Sequence, residues 1–177
     1  MLENQVLEMV DTYKYLGHVL CTARNIHSQM HQNLAVQGQR ALHILYENIK
    51  STVGYMAPSL ACKMFDTHVL PILEYNCEIW FSKKKILDIE KIHLRFLKCI
   101  LGVRTQTSTV ALLGDTGRYP LLVRQQVSAV KYLQRFETIS CPPLVRACYE
   151  IQKQLHTSGA PCWYNRLFDV LRDNGAN

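Results

Sequence analysis

At 177 residues and a net charge of +6, the chain fits one domain, or one with a small appendage, and is long enough to bury a core. Apolar residues make up 48% and charged residues 19%, below the usual ~25% charged, so some apolar surface expects a partner. No apolar run approaches the ~18 residues of a membrane span, and Met1 to Asp11 is acidic rather than basic as a signal peptide would be. The seven cysteines therefore read as free thiols, and the expected setting is intracellular, nuclear or cytoplasmic, with no membrane partner.

In chain order, Val6 to Val10 and Tyr13 to Leu20 are β-rich segments separated by Asp11-Thr12. They predict a hairpin with Tyr13, Tyr15, Gly17 and Val19 on one face and Leu16, His18 and Leu20 on the other. Gly17 allows a bulge or a close backbone approach. Residues 27 to about 50 predict a helix through Met30, Leu34, Ala41, Leu45 and Ile49, with Gly38 weakening its middle. Ser59 to about Phe81 is almost wholly apolar and predicts a buried helix, kinked or broken near Pro71.

Lys83 to Leu101 is the clearest amphipathic segment, with Ile86, Ile89, His93, Phe96, Leu97 and Ile100 on one side. Lys84, Lys91, Arg95 and Lys98 form a basic stripe opposite. Thr105 to Thr109 and Gly114 to Pro120 read as loop and turn, in which Asp115 pairs locally with Arg118. A helix follows from Pro120 to about Glu137, and Arg124, Lys131 and Arg135 share one of its faces. Two short helices, Leu144 to Leu155 and Trp163 to Asp173, complete the chain.

Charge is concentrated in the middle. Residues 83 to 135 carry eleven Lys and Arg against three acidic residues, a local net of +8 that leaves −2 for the rest. Such a footprint fits a nucleic-acid contact, since neutralising phosphates supplies most non-specific affinity, although a solvated surface reads as well from charge alone.

The ordered set Lys14-Tyr15-Leu16-Gly17, Pro71-Ile72-Leu73-Glu74-Tyr75, Glu78-Ile79-Trp80, the Ile89 to Lys98 helix and Gly114-Asp115-Thr116-Gly117-Arg118-Tyr119-Pro120-Leu121 is the most specific feature of the chain. Together these segments resemble the region just C-terminal to the polymerase palm in LINE-type, non-LTR retrotransposon reverse transcriptases, from about Val10 to about Gly175. The resemblance implies a mainly α, thumb-like helical bundle with a short N-terminal β-hairpin. It divides the chain into a palm-end remnant (1–22), a thumb-like region (23–138) and a C-terminal connection segment (139–177). Tyr15, Leu16 and Gly17 become a primer-grip remnant, and the basic helices contact RNA or DNA, duplex or hybrid.

The same resemblance implies what is missing. The paired aspartates that hold two catalytic metal ions lie upstream, in the palm, and two-metal phosphoryl transfer needs carboxylates gathered around ions ~4 Å apart. The aspartates here, Asp11, Asp66, Asp88, Asp115, Asp169 and Asp173, are scattered. No polymerase activity and no cofactor are expected; a palm supplied elsewhere, or self-association, are the possible protein partners. Asn76 stands where the family commonly has glycine, and Asp115 where it has glutamate, which leaves the loop geometry open.

Three weaker signals read as structural. His27 and His31 have a metal-compatible spacing, but no Glu follows His27 and solvated side chains account for them better. Cys141, Cys148, His156 and Cys162 resemble the Cys-rich zinc motif of some LINE proteins, yet the first spacing is too long and Cys148 shares an apolar helix face with Leu144, Ile151 and Leu155, so packed thiols are the preferred reading, as for Cys99. Gly114 to Gly117 lacks the Lys-Ser/Thr of a phosphate-binding loop.

Overall fold

A computed structural model describes residues 9–22, 27–52, 56–82, 87–138 and 142–175. The chain is mainly α with a short antiparallel hairpin near its N-terminus. That hairpin pairs β1 (Thr12–Tyr15) with β2 (His18–Cys21) in the register Tyr13 to Leu20 and Tyr15 to His18. Its turn is Leu16-Gly17, not Asp11-Thr12 as expected, and Val6 to Glu8 of the expected first strand lie outside the described residues.

The turn explains the shift. Both central residues have positive φ, 47° at Leu16 and 84° at Gly17, the requirement of a two-residue type I′ connection whose twist matches the strands. Parity then places Tyr13 and Tyr15 on the face of Leu20 and His18, which overturns the expected grouping with Val19. Gly17 does provide close approach, since a Cβ there would meet the Tyr75 ring at 3.3 Å. Leu16 adopts a conformation that L-residues disfavour, while its carbonyl accepts a hydrogen bond from the Tyr75 hydroxyl. Leu16→Asn is expected to stabilise the chain by about 1 kcal/mol, because asparagine tolerates this region; urea unfolding checks it.

The main core forms between α1 (Ser28–Thr52) and α5 (Leu87–Ile100). Met30, Leu34, Leu42 and Leu45 face Ile89, Ile92, Phe96 and Leu97, all buried. α2 (Pro58–His68) opens on Pro58, where a missing N–H costs nothing, and buries Phe65, stacked on Phe96 at 4.3 Å between ring centroids. The expected break comes before Pro71: α2 ends at His68 and α3 (Leu70–Leu73) restarts with the proline in its first turn. Asn76, at φ 53°, supplies the left-handed residue that leads into α4 (Cys77–Trp80), so asparagine adopts there a backbone that glycine takes readily.

Gly38 is more than a weak point in α1. A Cβ at this position would lie 2.2 Å from Leu73 Cδ2 and 3.2 Å from Leu73 Cγ, so glycine lets α3 sit against α1. Gly38→Val is expected to cost about 3 kcal/mol, the upper part of the overpacking range, measured by chemical denaturation.

Residues Thr109–Thr116 form a helix, α6, whose two ends fall in the loop and turn expected at Thr105 to Thr109 and Gly114 to Pro120. Leu112 and Leu113 bury into the main core and Gly117, at φ 62°, ends the helix; a short apolar run between turn residues does not distinguish a short buried helix from loop. Arg118 pairs with Asp66 rather than Asp115 and lies over the Phe65 ring.

α7 (Leu121–Thr138), α8 (Pro143–Thr157) and α9 (Trp163–Asp173) build a second apolar cluster around Phe81, Ala129, Leu133, Tyr149, Tyr164, Leu167 and Val170. α9 also satisfies backbone around α4. Trp163 Nε1 donates to the Glu78 carbonyl at 2.7 Å and Arg166 to that of Ile79 at 3.1 Å, meeting the acceptors that a short helix leaves unpaired.

Candidate nucleic-acid interface

Packing α1 against α5 leaves an open groove of about 1000 Å³ along their outer edges. Its cations come from both helices: Lys91, Arg95 and Lys98 from α5, and Arg40 from α1. α5 buries Ile89, Ile92 and Phe96 inward, so the i, i+4, i+7 row of Lys91, Arg95 and Lys98 falls on the groove side. Ala35, Val36, Leu94 and Val103 contribute apolar wall.

The four cations are not equally committed. Lys91 lies 3.4 Å from Asp88, with both side chains well exposed, an arrangement worth little in water. Lys98 donates to the Thr105 carbonyl and so ties the loop after α5 to the groove. Arg40 and Arg95 have no carboxylate partner among the described residues. Asp88 is the acidic group among the groove's described lining residues, and no aromatic side chain is found among them.

Of the expected contact residues, Lys91, Arg95 and Lys98 are thus brought together, and Lys84 lies outside the described residues. Arg124 is engaged elsewhere, held by both carboxylate oxygens of Glu74 at 2.8 and 3.3 Å. Lys131 and Arg135 line a separate depression of about 140 Å³ with Glu78, Ser128 and Tyr132. The two stripes are therefore distinct surfaces. Sequence reading missed Arg40, whose spacing four residues after Val36 on a helix edge carries no charge pattern of its own.

Tyr15 and Leu16 are exposed at the hairpin tip, and Gly17 joins Lys14, Leu34, Gln37, Pro71, Ile72 and Tyr75 around a shallow cleft of about 310 Å³. Cys99 and Cys148 are exposed rather than packed; each sits on the outward side of its helix, where apolar periodicity alone does not say which side is covered. His156 bonds to Asn165 and Cys162 to the Gln152 carbonyl at 3.6 Å, while Cys141 lies outside the described residues. Among the described residues no group of three His, Cys, Asp or Glu is placed to hold a metal ion, and no helix is long and apolar enough to cross a membrane.

His27 and His31, expected in solvent, instead pack inward. His18 from β2 meets His27 edge-on at 5.7 Å, His27 lies 6.5 Å from His31, and His31 stands 4.9 Å from the Trp80 ring. His18 and His27 are buried. Desolvation, followed by the nearby Arg166 guanidinium and the other two histidines, lowers the His27 pKa to about 4. Desolvation lowers His18 and His31 as well.

A scan against protein-family models and searches of curated proteins and solved structures find no match to this chain.

Proposed function

We propose that the chain is a non-catalytic, retrotransposon-derived reverse-transcriptase fragment that binds nucleic-acid duplex without sequence preference through the α1/α5 groove. One observation carries the reading: Arg40, Lys91, Arg95 and Lys98 converge on a single groove from two helices packed rigidly through the main core. On α5 the row from Lys91 to Lys98 spans about 10 Å, enough for about three successive phosphates of one strand.

The lining favours duplex over single strand. Single-strand sites combine cations with aromatic platforms on which bases stack, and the described lining, though it holds cations, has no aromatic side chain. Backbone contact without base stacking or edge readout positions a duplex but does not specify its sequence. Tyr15, Leu16 and Gly17 are the proposed primer-grip remnant.

The test is competition binding of a labelled RNA:DNA hybrid by the wild-type chain and by a variant with Arg40, Lys91, Arg95 and Lys98 all changed to Ala. Duplex is expected to compete better than single strand of the same sequence, and the variant to lose at least tenfold in affinity. Equal binding by a folded variant would overturn the groove assignment. A second reading, a non-enzymatic interaction or self-associating protein, is favoured by the outward apolar edge of α8, where Leu144 and Ile151 are 76% and 53% exposed.

A further inference from the structure

The end of α8 and the outer side of α9 leave a cleft of about 450 Å³ that belongs to neither basic stripe, lined by His156, Asn165, Phe168, Asp169 and Arg172. Its volume falls within the ~300 to 1000 Å³ of small-molecule sites. The walls are held from behind. His156 Nδ1 and Asn165 Oδ1 share a hydrogen bond, and Asn165 Nδ2 donates to the Ala160 carbonyl at 2.8 Å. The His156 ring stacks on Phe168 with centroids 5.0 Å apart, and Tyr164 supports Phe168 at 4.7 Å. Phe168 nevertheless stays 42% exposed, although Tyr164, Leu167 and Val170 of the same helix are buried. An aromatic ring fixed at the edge of a cleft is a platform for a second flat ring.

The polar groups beside it select the kind of ring. Arg172 donates to Asp169 Oδ1 at 2.8 Å, and both side chains are well exposed, so the ion pair is weakly held in water and can turn toward a ligand. Together they set a two-oxygen acceptor beside a donor and carry no net charge, which favours a base over its phosphate. Guanine matches this order, with its O6 acceptor next to its N1–H and N2–H donors. Cytosine offers a single donor beside two acceptors.

We propose that this cleft binds a guanine base stacked on Phe168, with Asp169 accepting from its N1–H and N2–H and Arg172 donating to its O6. Unpaired bases are read by this combination of aromatic stacking and edge hydrogen bonds, and the base comes from a single strand or from a free nucleotide. The site goes beyond the backbone contacts of the α1/α5 groove and does not depend on them.

An NMR titration of the full chain at high salt, where phosphate contacts are weakest, tests it with guanosine 5′-monophosphate, cytidine 5′-monophosphate and ribose 5-phosphate. The guanine nucleotide is expected to bind at least about fivefold more tightly than the cytosine nucleotide, and ribose 5-phosphate not to bind. Phe168→Leu keeps an apolar side chain at an exposed position and is expected to weaken guanine binding at least about fivefold, the least that stacking on an aromatic ring supplies. Asp169→Asn is expected to abolish the preference for guanine, and decides the matter alone if Phe168→Leu misfolds. A single-stranded tetranucleotide with one guanine that competes better than the mononucleotide marks a strand as the source; equal competition marks a free nucleotide, and both uphold the site. Guanine binding no tighter than that of cytosine or ribose 5-phosphate overturns the proposal, as does a folded Phe168→Leu or Asp169→Asn chain that binds guanine as the wild type does.

Discussion

Glu90→Ala is expected to destabilise the chain by about 3 to 5 kcal/mol, the cost of removing one member of a buried polar pair. Glu90 is 2% exposed, and its Oε2 accepts the backbone N–H of Leu121 at 2.9 Å, while Oε1 lies 3.4 Å from Nδ1 of His93, itself buried. Leu121 opens α7, so the carboxylate satisfies one of the donors that a helix N-terminus leaves free and sits at the positive end of the helix dipole. Alanine would strand both the Leu121 N–H and the His93 ring, which stacks on Phe65 at 5.7 Å between centroids. Glu90→Gln keeps the shape and one acceptor, and is expected to lose only about 1 to 2 kcal/mol. Urea unfolding with an unchanged m-value would establish both losses; an alanine variant as stable as wild type would remove Glu90 from the core's essential polar contacts.

Acid is expected to weaken the junction between hairpin and helices by up to about 3 kcal/mol. The folded chain keeps His27 neutral down to about pH 4, whereas the unfolded chain takes up that proton near its ordinary 6.5. The unfolded state therefore binds more protons between these values. Stability is complete above about pH 6.5 and is lost progressively as the pH falls toward 4, with His18 and His31 adding in the same direction. Arg166 on α9 opposes protonation of His27 and His31. Urea midpoints measured across this pH range check the loss, and His27→Phe should flatten most of it. Stability that does not change from pH 7 to 5 would contradict neutral, desolvated imidazoles.

What the sequence made legible follows physical scale. α1, α7, α8 and α9 run for three or more turns, and their limits fall close to those expected because periodicity and proline signals agree over that length. The hairpin is present but its turn was misplaced: Leu16-Gly17 lacks the Asn-Gly or Asp-Gly pair that marks such turns, and Asp11-Thr12 carries a stronger loop composition. α6 is too short for its period to emerge.

At the candidate site, three α5 cations were legible as a stripe, but Arg40 and the Arg124–Glu74 chelate depend on which helices meet. Glu90 was countable as a charge and not as a buried one, although it stands three residues before His93 and seven before Leu97, on the core side of α5. The outward seam of α8 shows the converse: an apolar stripe was visible, and tertiary packing of Tyr149 turned it to solvent.

The most direct test of the central claim is the salt dependence of binding to an RNA:DNA hybrid, read by fluorescence anisotropy for the wild type and for the Arg40, Lys91, Arg95 and Lys98 alanine variant. At roughly 0.9 log units per neutralised phosphate, four groove contacts give the wild type a slope of affinity against salt of about −3 to −4. The variant is expected to bind weakly and to lose most of this slope. A wild-type chain that is folded yet fails to bind at low salt, or a variant with the same slope and affinity, would contradict it.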